Sequence, residues 1–470
     1  MPQSVFRLGD IRGRYPTEIN ENFVRSFGPQ FVLQFKLSGR IATGRDTRDS
    51  SLALQETLNI SLRQSGIDVL NLGICATELG SFASFQADIE AVIIITASHN
   101  TPGYNGLKCI LKNGEAITYE SGLKHIESRM NALEDFPDLS DIDMPLKGSL
   151  SNFDLVPDYV HFLTNGLNHE KWHLGNLALN GLHGTASTLA VPISKRCELN
   201  SFWHKQEPGT LDSLGVDPSH PKHAADMKQF MASRDFELGV AWDGDSDRCA
   251  IFDEAGNLIP SYYMVGIFTE YFLQQNPGAA IVFDTKLCWN TLDIIQQYNG
   301  KAVPSQTGHA FVIRQMKRHN AVYGGELSGH HYFGEFNGCD SGMLAWLMTL
   351  VIVQSTTCPL EELVDTMRKS VKCTQEISLS LQDDYQAIDQ IMNIYGPQAK
   401  KIDALDGISL EMSGDWRFSL RNSKTETKLR LNLETRSSGD ALIDEGEKII
   451  KILKPFMLDD QGWSGQFILQ

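Results

Sequence analysis

The stretch that most constrains this 470-residue chain is 91–108, Ala-Val-Ile-Ile-Ile-Thr-Ala-Ser-His-Asn-Thr-Pro-Gly-Tyr-Asn-Gly-Leu-Lys. Its first five residues are apolar and mostly β-branched, and they predict a strand buried on both faces. A small, polar loop containing Gly and Pro follows at once. Such a strand end holds a loop still. Within the loop Ser98 stands between Ala97 and His99, with Lys108 ten residues on. A hydroxyl beside an imidazole and an ammonium is the equipment of a nucleophile that handles phosphate. The alternative is an ordinary serine-containing turn after a core strand.

The same arrangement, an apolar strand running into a polar loop with glycine, recurs twice more. The strand predicted over 238–242 enters Asp243-Gly244-Asp245-Ser246-Asp247-Arg248. Three carboxylates at alternate positions of an extended loop repel one another unless a cation sits between them. A hard divalent ion with oxygen ligands, Mg²⁺ by preference, fits and leaves positions open for a phosphate oxygen and water. The loop is expected to be exposed and to add little core. The third occurrence is Gly324-Gly325-Glu326-Leu327-Ser328-Gly329-His330. Glu326 and Ser328, two apart, can project from one face, where a carboxylate and a hydroxyl grip adjacent sugar hydroxyls. Near the C-terminus, the hairpin tip Arg421-Asn422-Ser423-Lys424-Thr425-Glu426-Thr427 collects groups that clamp a phosphate.

A chain of this length predicts three or four domains. The longest apolar run, 343–353, falls far short of the roughly 20 residues that span a bilayer and reads as a core helix. No apolar segment follows Met1. Eight cysteines are scattered without a C-x-x-C pair, as expected of reduced thiols in a cytoplasmic protein. The net charge of −17 argues against nucleic acid or an anionic membrane as partner. It also requires Arg and Lys to converge locally if phosphosugars are bound.

Around these loops the sequence predicts a helix over 51–65 capped by Asp49 or Ser50, and a hairpin about Asn113-Gly114. Further helices are expected over 119–133, 262–275 and 384–395. Leu429, Leu431 and Leu433 alternate with Arg430, Asn432 and Glu434 as a half-buried strand. The irregular stretch 206–225 is given no role.

The motif Thr96-Ala97-Ser98-His99-Asn100, with Tyr104-Asn105-Gly106 and Lys108, resembles the active-site serine loop of the α-D-phosphohexomutases, in their bacterial phosphomannomutase/phosphoglucomutase branch. Residues 243–248 match that family's metal loop Asp-Gly-Asp-x-Asp-Arg at every defining position. Residues 324–330 are similar to its sugar loop Gly-Glu-Met-Ser-Gly-His, with Leu327 for Met. Residues 421–427 resemble its phosphate loop Arg-x-Ser-Asn-Thr-Glu-Pro, with Lys424 and Thr427 as departures. The opening Asp10-Ile11-Arg12-Gly13 resembles the segment that carries the family's cleft arginine, though Gly9 stands where a tyrosine is usual. Gln306 likewise replaces a usual lysine. The resemblance covers nearly the whole chain, leaving 457–470 as a private extension.

The resemblance implies an α/β fold: three α/β domains with mixed sheets plus a smaller C-terminal α+β domain around a central cleft. The expected divisions are 1–148, 149–250, 251–370 and 371–470, with a hinge near 370–375. It implies that Ser98 is carried as phosphoserine and that Mg²⁺ is held by the Ser98 phosphate, Asp243, Asp245 and Asp247. Lys108 and Arg248 would stabilise the transferring phosphoryl group, and His99, Lys108, His309 and His330 are the unranked acid–base candidates. Arg12, Lys286, Glu326, Ser328, Arg421, Ser423, Lys424 and Thr425 would bind the hexose phosphate. The implied reaction is interconversion of mannose 1-phosphate and mannose 6-phosphate through hexose 1,6-bisphosphate, with glucose phosphates also accepted. Phosphoglucomutase, phosphoglucosamine mutase, a phosphatase or bisphosphate synthase on the same site, and a non-catalytic sugar-phosphate sensor are the alternatives. A cytoplasmic monomer or weak dimer is expected.

Overall fold

The computed structural model describes residues 4–132, 145–167, 172–356, 358–422, 428–458 and 467–470. The chain forms two compact units, Met1–Leu258 with Gly329–Thr357, and Ile259–Ser328 with Cys358–Gln470.

In the first unit the strand Ile89–Ile95 runs through the interior of a mixed sheet. It pairs in parallel with Arg40–Arg45 and antiparallel with Tyr104–Leu111. Its burial on both faces has two sources. Ala91, Ile93 and Ile95 join Phe23, Phe27, Phe31, Leu54, Leu58 and Leu62 of the helices Glu21–Phe35 and Ser51–Gln64 in one apolar core. Val92 and Ile94 lie instead against Gly80 of the helix Thr77–Ala83. The turn expected at Asn113 is present, with Asn113 in the left-handed region at φ 64°. The helix expected over 119–133 is a π turn, Tyr119–Leu123, followed by the α-helix Lys124–Asn131.

Neither Asp49 nor Ser50 caps the helix at Ser51. Ser50 has helical backbone angles and its hydroxyl accepts from Asn105 (2.8 Å), while the Asp46 carboxylate takes the Ser51 hydroxyl and the Arg48 N–H. A second sheet orders Cys249–Phe252, Leu238–Trp242, Leu177–Asn180 and Ser201–His204, the first pair antiparallel and the rest parallel. The apolar run expected as a core helix is Gly342–Ser355. Among the described residues no single helix is long and apolar enough to cross a membrane.

In the second unit Ala280–Asp284 lies between Lys301–Ser305 and Tyr323–Gly325, all parallel. The C-terminal segment is antiparallel throughout: Lys372–Cys373, Leu429–Thr435, Trp416–Asn422, Ile408–Met412 and Ala399–Asp403 in that order. Leu429–Thr435 is not half-buried as expected, since Asn432 and Glu434 are buried along with the leucines. Glu434 has partners that satisfy a buried carboxylate. It accepts from the N–H groups of Cys288 (2.8 Å) and Trp289 (3.0 Å), from the Tyr262 hydroxyl, and from Arg417.

The end of the supposed extension also belongs to the fold. Phe467 is buried with Leu442 and Ile449, Leu469 bridges Thr374, and the Tyr263 hydroxyl donates to the Gln470 carbonyl (2.8 Å). All eight cysteines are free thiols.

Candidate active site

The strand Ile89–Ile95 delivers Ser98 in a left-handed backbone conformation, φ 49°, with the Ser98 N–H donating to Thr96 Oγ1 (2.9 Å). Carbonyl groups turn inward around this bend, and Arg48 gathers them. Its Nη2 donates to the carbonyls of Ser98 and Asn100 (both 2.7 Å), its Nη1 to those of Thr101 (2.8 Å) and Tyr104 (3.0 Å), and its Nε to Asp46 (3.0 Å). Ser98 is 3% exposed, while His99 and Asn100 are half-buried. The Ser98 hydroxyl lies 3.0 Å from Oδ2 of Asp243 and 3.2 Å from Nδ1 of His99. Burial, with Arg248 and Arg12 adding positive charge, pushes His99 well below the ordinary histidine range, so its ring is neutral at pH 7. Arg12 donates to Asn100 (2.8 Å) and Asp10 (2.6 Å), which places it beside the serine loop.

Leu238–Trp242 delivers the three aspartates, and Ser246 at φ 64° bends the loop so that one oxygen of each lies within 4.8 Å of the others. The loop is buried rather than exposed; none of the three aspartates is more than 1% accessible. Lys108 lies among them, 2.7 Å from Asp245 Oδ2 and paired with Asp247, and Arg248 Nε donates to Asp243 (2.9 Å). Mutual repulsion is therefore offset in part by these two side chains. Burial pushes Asp243 up to about 7 against the pull of Arg248. Burial acts the same way on Asp247, but Lys108 and His330 outweigh it and hold that carboxyl well below its usual range.

Oδ1 of Asp245 is buried without a hydrogen-bond donor among the described residues, and Oδ1 of Asp247 is buried with no well-aligned one. Such oxygens, grouped with Asp243 and the Ser98 hydroxyl, are the donor set a hard divalent cation takes. The residues fit such an ion. His330 closes the group, with Nε2 3.4 Å from Asp247 Oδ1 and 3.9 Å from Asp340 Oδ2.

The second unit holds its own cluster. Lys286 is buried 3.5 Å from Asp284 Oδ2, and the same oxygen accepts the Leu327 N–H (2.9 Å). Glu326 accepts the Gly308 N–H (2.7 Å) immediately before His309, which opens the helix His309–His319. Burial raises the Asp284 carboxyl, Lys286 and Arg421 lower it, and Glu326 raises it, so these charges all act on Asp284. Arg421 lies 3.7 Å from Glu376, and Ser328 is half-buried. Ser423, Lys424 and Thr425 lie outside the described residues. Gln306, where the family resemblance predicts a lysine, donates to the Leu405 carbonyl (2.9 Å).

Several participants escaped the sequence reading. Arg48, Thr77 and Asp340 all touch site residues, yet nothing in the sequence assigns any of them a role there. The stretch 206–225, assigned no role, includes Val216, whose N–H donates to the His99 carbonyl (3.4 Å).

Comparison with known proteins gives matches of the same kind. Family models described as phosphoglucomutase/phosphomannomutase alpha/beta/alpha domains I and III match residues 3–136 and 260–370. A phosphomannomutase of Vibrio cholerae is 34% identical over 460 residues, spanning 96% of this chain and 98% of its own. One from Escherichia coli is 35% identical over 456 residues, spanning 96% and 99%. Proteins named phosphohexose mutases, from Xanthomonas campestris, are 34% identical, one spanning 97% of this chain and all of its own. A family structure from Burkholderia thailandensis superposes with a TM-score of 0.81 at 26% identity, covering 97% and 98%. The parafusin phosphoglucomutase of Paramecium shares the fold at a TM-score of 0.74 and 16% identity, covering 100% and 97%. With a buried serine hydroxyl set against three buried aspartates and full-length relatives of this kind, the chain belongs to the phosphoglucomutase/phosphomannomutase family of the α-D-phosphohexomutases, enzymes of intramolecular phosphoryl transfer.

Proposed function

We propose that this protein is a phosphomannomutase, interconverting mannose 1-phosphate and mannose 6-phosphate and accepting glucose phosphates. Phosphoserine at Ser98 and hexose 1,6-bisphosphate are its intermediates, the latter also its activator. The observation that carries the reading is the 3.0 Å approach of the Ser98 hydroxyl to Asp243 within a buried group of three aspartates. The naming of full-length relatives as phosphomannomutases supports the choice of sugar.

Asp243, Asp245, Asp247 and the Ser98 phosphate would hold Mg²⁺, which when bound supplies positive charge to the transferring phosphoryl group. The chain's own residues do the rest. The bond from Ser98 Oγ to phosphorus breaks, a sugar hydroxyl oxygen forms the new bond, and the hydroxyl proton passes to a base. Lys108 is held protonated by the aspartates, so it serves as a fixed charge. His99 is disfavoured as base by its burial and then by Arg248 and Arg12, whereas His330 Nε2 lies 3.4 Å from Asp247 and 3.9 Å from Asp340, carboxylates placed to receive its ring. Proton transfer is therefore assigned to His330 ahead of His99 and His309. Arg421, with Ser423, Lys424 and Thr425, would hold the phosphate that is not reacting, Arg12 and Lys286 would contact the substrate, and Glu326 and Ser328 would grip the sugar hydroxyls. The four-part division at 148, 250 and 370 and a cytoplasmic monomer or weak dimer complete the reading.

The test adds mannose 1-phosphate with a trace of hexose 1,6-bisphosphate and follows mannose 6-phosphate. Intact-mass measurement should find one extra phosphate on the wild type and none on Ser98→Ala. Release of free phosphate instead of mannose 6-phosphate overturns the mutase assignment. A higher kcat/KM for glucose 1-phosphate than for mannose 1-phosphate overturns the choice of sugar.

A further inference from the structure

We propose that Glu78 is a positioning residue that sets the cation affinity of the three-aspartate loop by fastening together, behind that loop, the two helix starts that grip it. The inference rests on the reading of those aspartates as a cation site.

The first grip is Thr77, which opens the helix Thr77–Ala83. Its N–H donates to the Asp245 carbonyl (2.9 Å) and its hydroxyl to Asp245 Oδ2 (2.8 Å). The second is Gly342, which opens the helix Gly342–Ser355. A Cβ there would come within 2.4 Å of the Ser246 carbonyl oxygen and 3.2 Å of that of Arg248, so only glycine lets this helix start lie so close to the loop. Trp242 Nε1 also donates to the Gly342 carbonyl (3.2 Å). The loop is thus held from one side at Asp245 and from the other at Ser246 and Arg248.

Glu78 joins the two grips. It is the residue after Thr77, it is fully buried, and its Oε2 accepts from the hydroxyl of Ser341, the residue before Gly342, and from the Met343 N–H (3.4 Å). Ser341 is flanked on its other side by Asp340, which faces His330. A third donor, the Tyr159 hydroxyl (2.9 Å), comes from the helix Val156–Thr164; it also lies 3.3 Å from Ser341 Oγ, but its loss leaves the Glu78–Ser341 link itself in place. That difference separates positioning from simple support. If Glu78 merely stabilises the fold, losing any donor should act alike. If it sets the loop, losing the Ser341 link should reach the cation and losing the Tyr159 link should not.

The experiment measures Mn²⁺ dissociation constants by electron paramagnetic resonance on the full chain, together with melting temperature in the absence of metal. Glu78→Ala and Ser341→Ala should raise the Mn²⁺ dissociation constant by about tenfold, the lower end of what loss of an outer-shell partner does to a metal site. Glu78→Gln, which keeps an acceptor for Ser341, should recover most of the affinity. Tyr159→Phe should lower the melting temperature and leave Mn²⁺ binding at the wild-type value. Lowered melting temperatures in Glu78→Ala and Ser341→Ala with wild-type Mn²⁺ affinity overturn the proposal. Should Glu78→Ala fail to fold, Ser341→Ala decides alone by the same criterion. A wild type that binds no Mn²⁺ fails the cation reading itself, an outcome distinct from unchanged affinity among variants, and it removes this inference as well.

Discussion

Nζ of Lys108 lies 2.7 Å from Oδ2 of Asp245, and the same ammonium pairs with Asp247, so a protein cation and a metal ion would share one set of carboxylates. Removing the ammonium leaves buried anions uncompensated, which typically destabilises a fold by about 3–5 kcal/mol. Lys108→Met should therefore melt well below the wild type without metal. Saturating Mg²⁺ should raise its melting temperature by more than it raises the wild type's, because the ion takes over charge the lysine had balanced. Equal shifts in calorimetry would show that the two cations do not share the carboxylates.

Arg48 holds the carbonyls of Ser98, Asn100, Thr101 and Tyr104 with a planar fork. Lysine keeps the charge but offers donors from a single point. Arg48→Lys should lower kcat by roughly 10- to 100-fold with little change in KM, since a nucleophile displaced by about an ångström loses rate rather than binding. Steady-state kinetics check this, and an unchanged kcat would show that the loop keeps its shape unaided.

Ser98 adopts φ 49°, where a side chain is strained and glycine is not. Ser98→Ala and Ser98→Gly both remove the hydroxyl and should both abolish phosphorylation. They differ in the backbone, so the glycine variant should be the more stable of the two by about 1 kcal/mol. Urea unfolding curves of the pair measure it, and an alanine variant of equal or greater stability would contradict the strain.

Burial pushes the Glu78 carboxyl up to about 8, against the opposing pull of Ser341, Tyr159 and Met343. Between the ordinary carboxylate range and pH 8 the folded protein keeps this proton while the unfolded chain releases it. The contribution is thus present at low pH and lost as pH rises through that window. The wild type should lose unfolding free energy between pH 5 and pH 8 beyond what Glu78→Gln loses, by on the order of a few kcal/mol, with a matching fall in melting temperature. Parallel melting curves for the two proteins would refute the shift.

What could be read from the sequence was what periodicity and short motifs encode. The strand under Ser98, the aspartate loop, the helix Asp384–Tyr395 and the turn at Asn113 depend on neighbours in the chain, and they stand where expected. What could not be read was settled by residues far apart. Alternation in Leu429–Thr435 predicted a polar face, but Glu434 finds its donors 146 and 145 residues away at Cys288 and Trp289. The aspartate loop was expected outside because three charges in a row look solvated. Lys108 and Thr77, contributed by other segments, let it be buried. Glu78 and Asp340 carried no local signal, since each stands beside a small hydroxyl residue, Thr77 and Ser341, and an acidic residue in such a setting reads as surface until its partners are known.

The Glu434 ties also bear on how the second unit comes apart. One carboxylate joins the antiparallel sheet to Tyr262 and to the start of the helix Trp289–Gln297, and Tyr263 reaches the carbonyls of Val371 and Gln470. These links cross the crossing at 370–375, so the sheet cannot swing there without surrendering them. The amide protons of Cys288 and Trp289 should exchange with solvent at one common, slow rate, reporting a single cooperative opening rather than the fraying of an independent tail module.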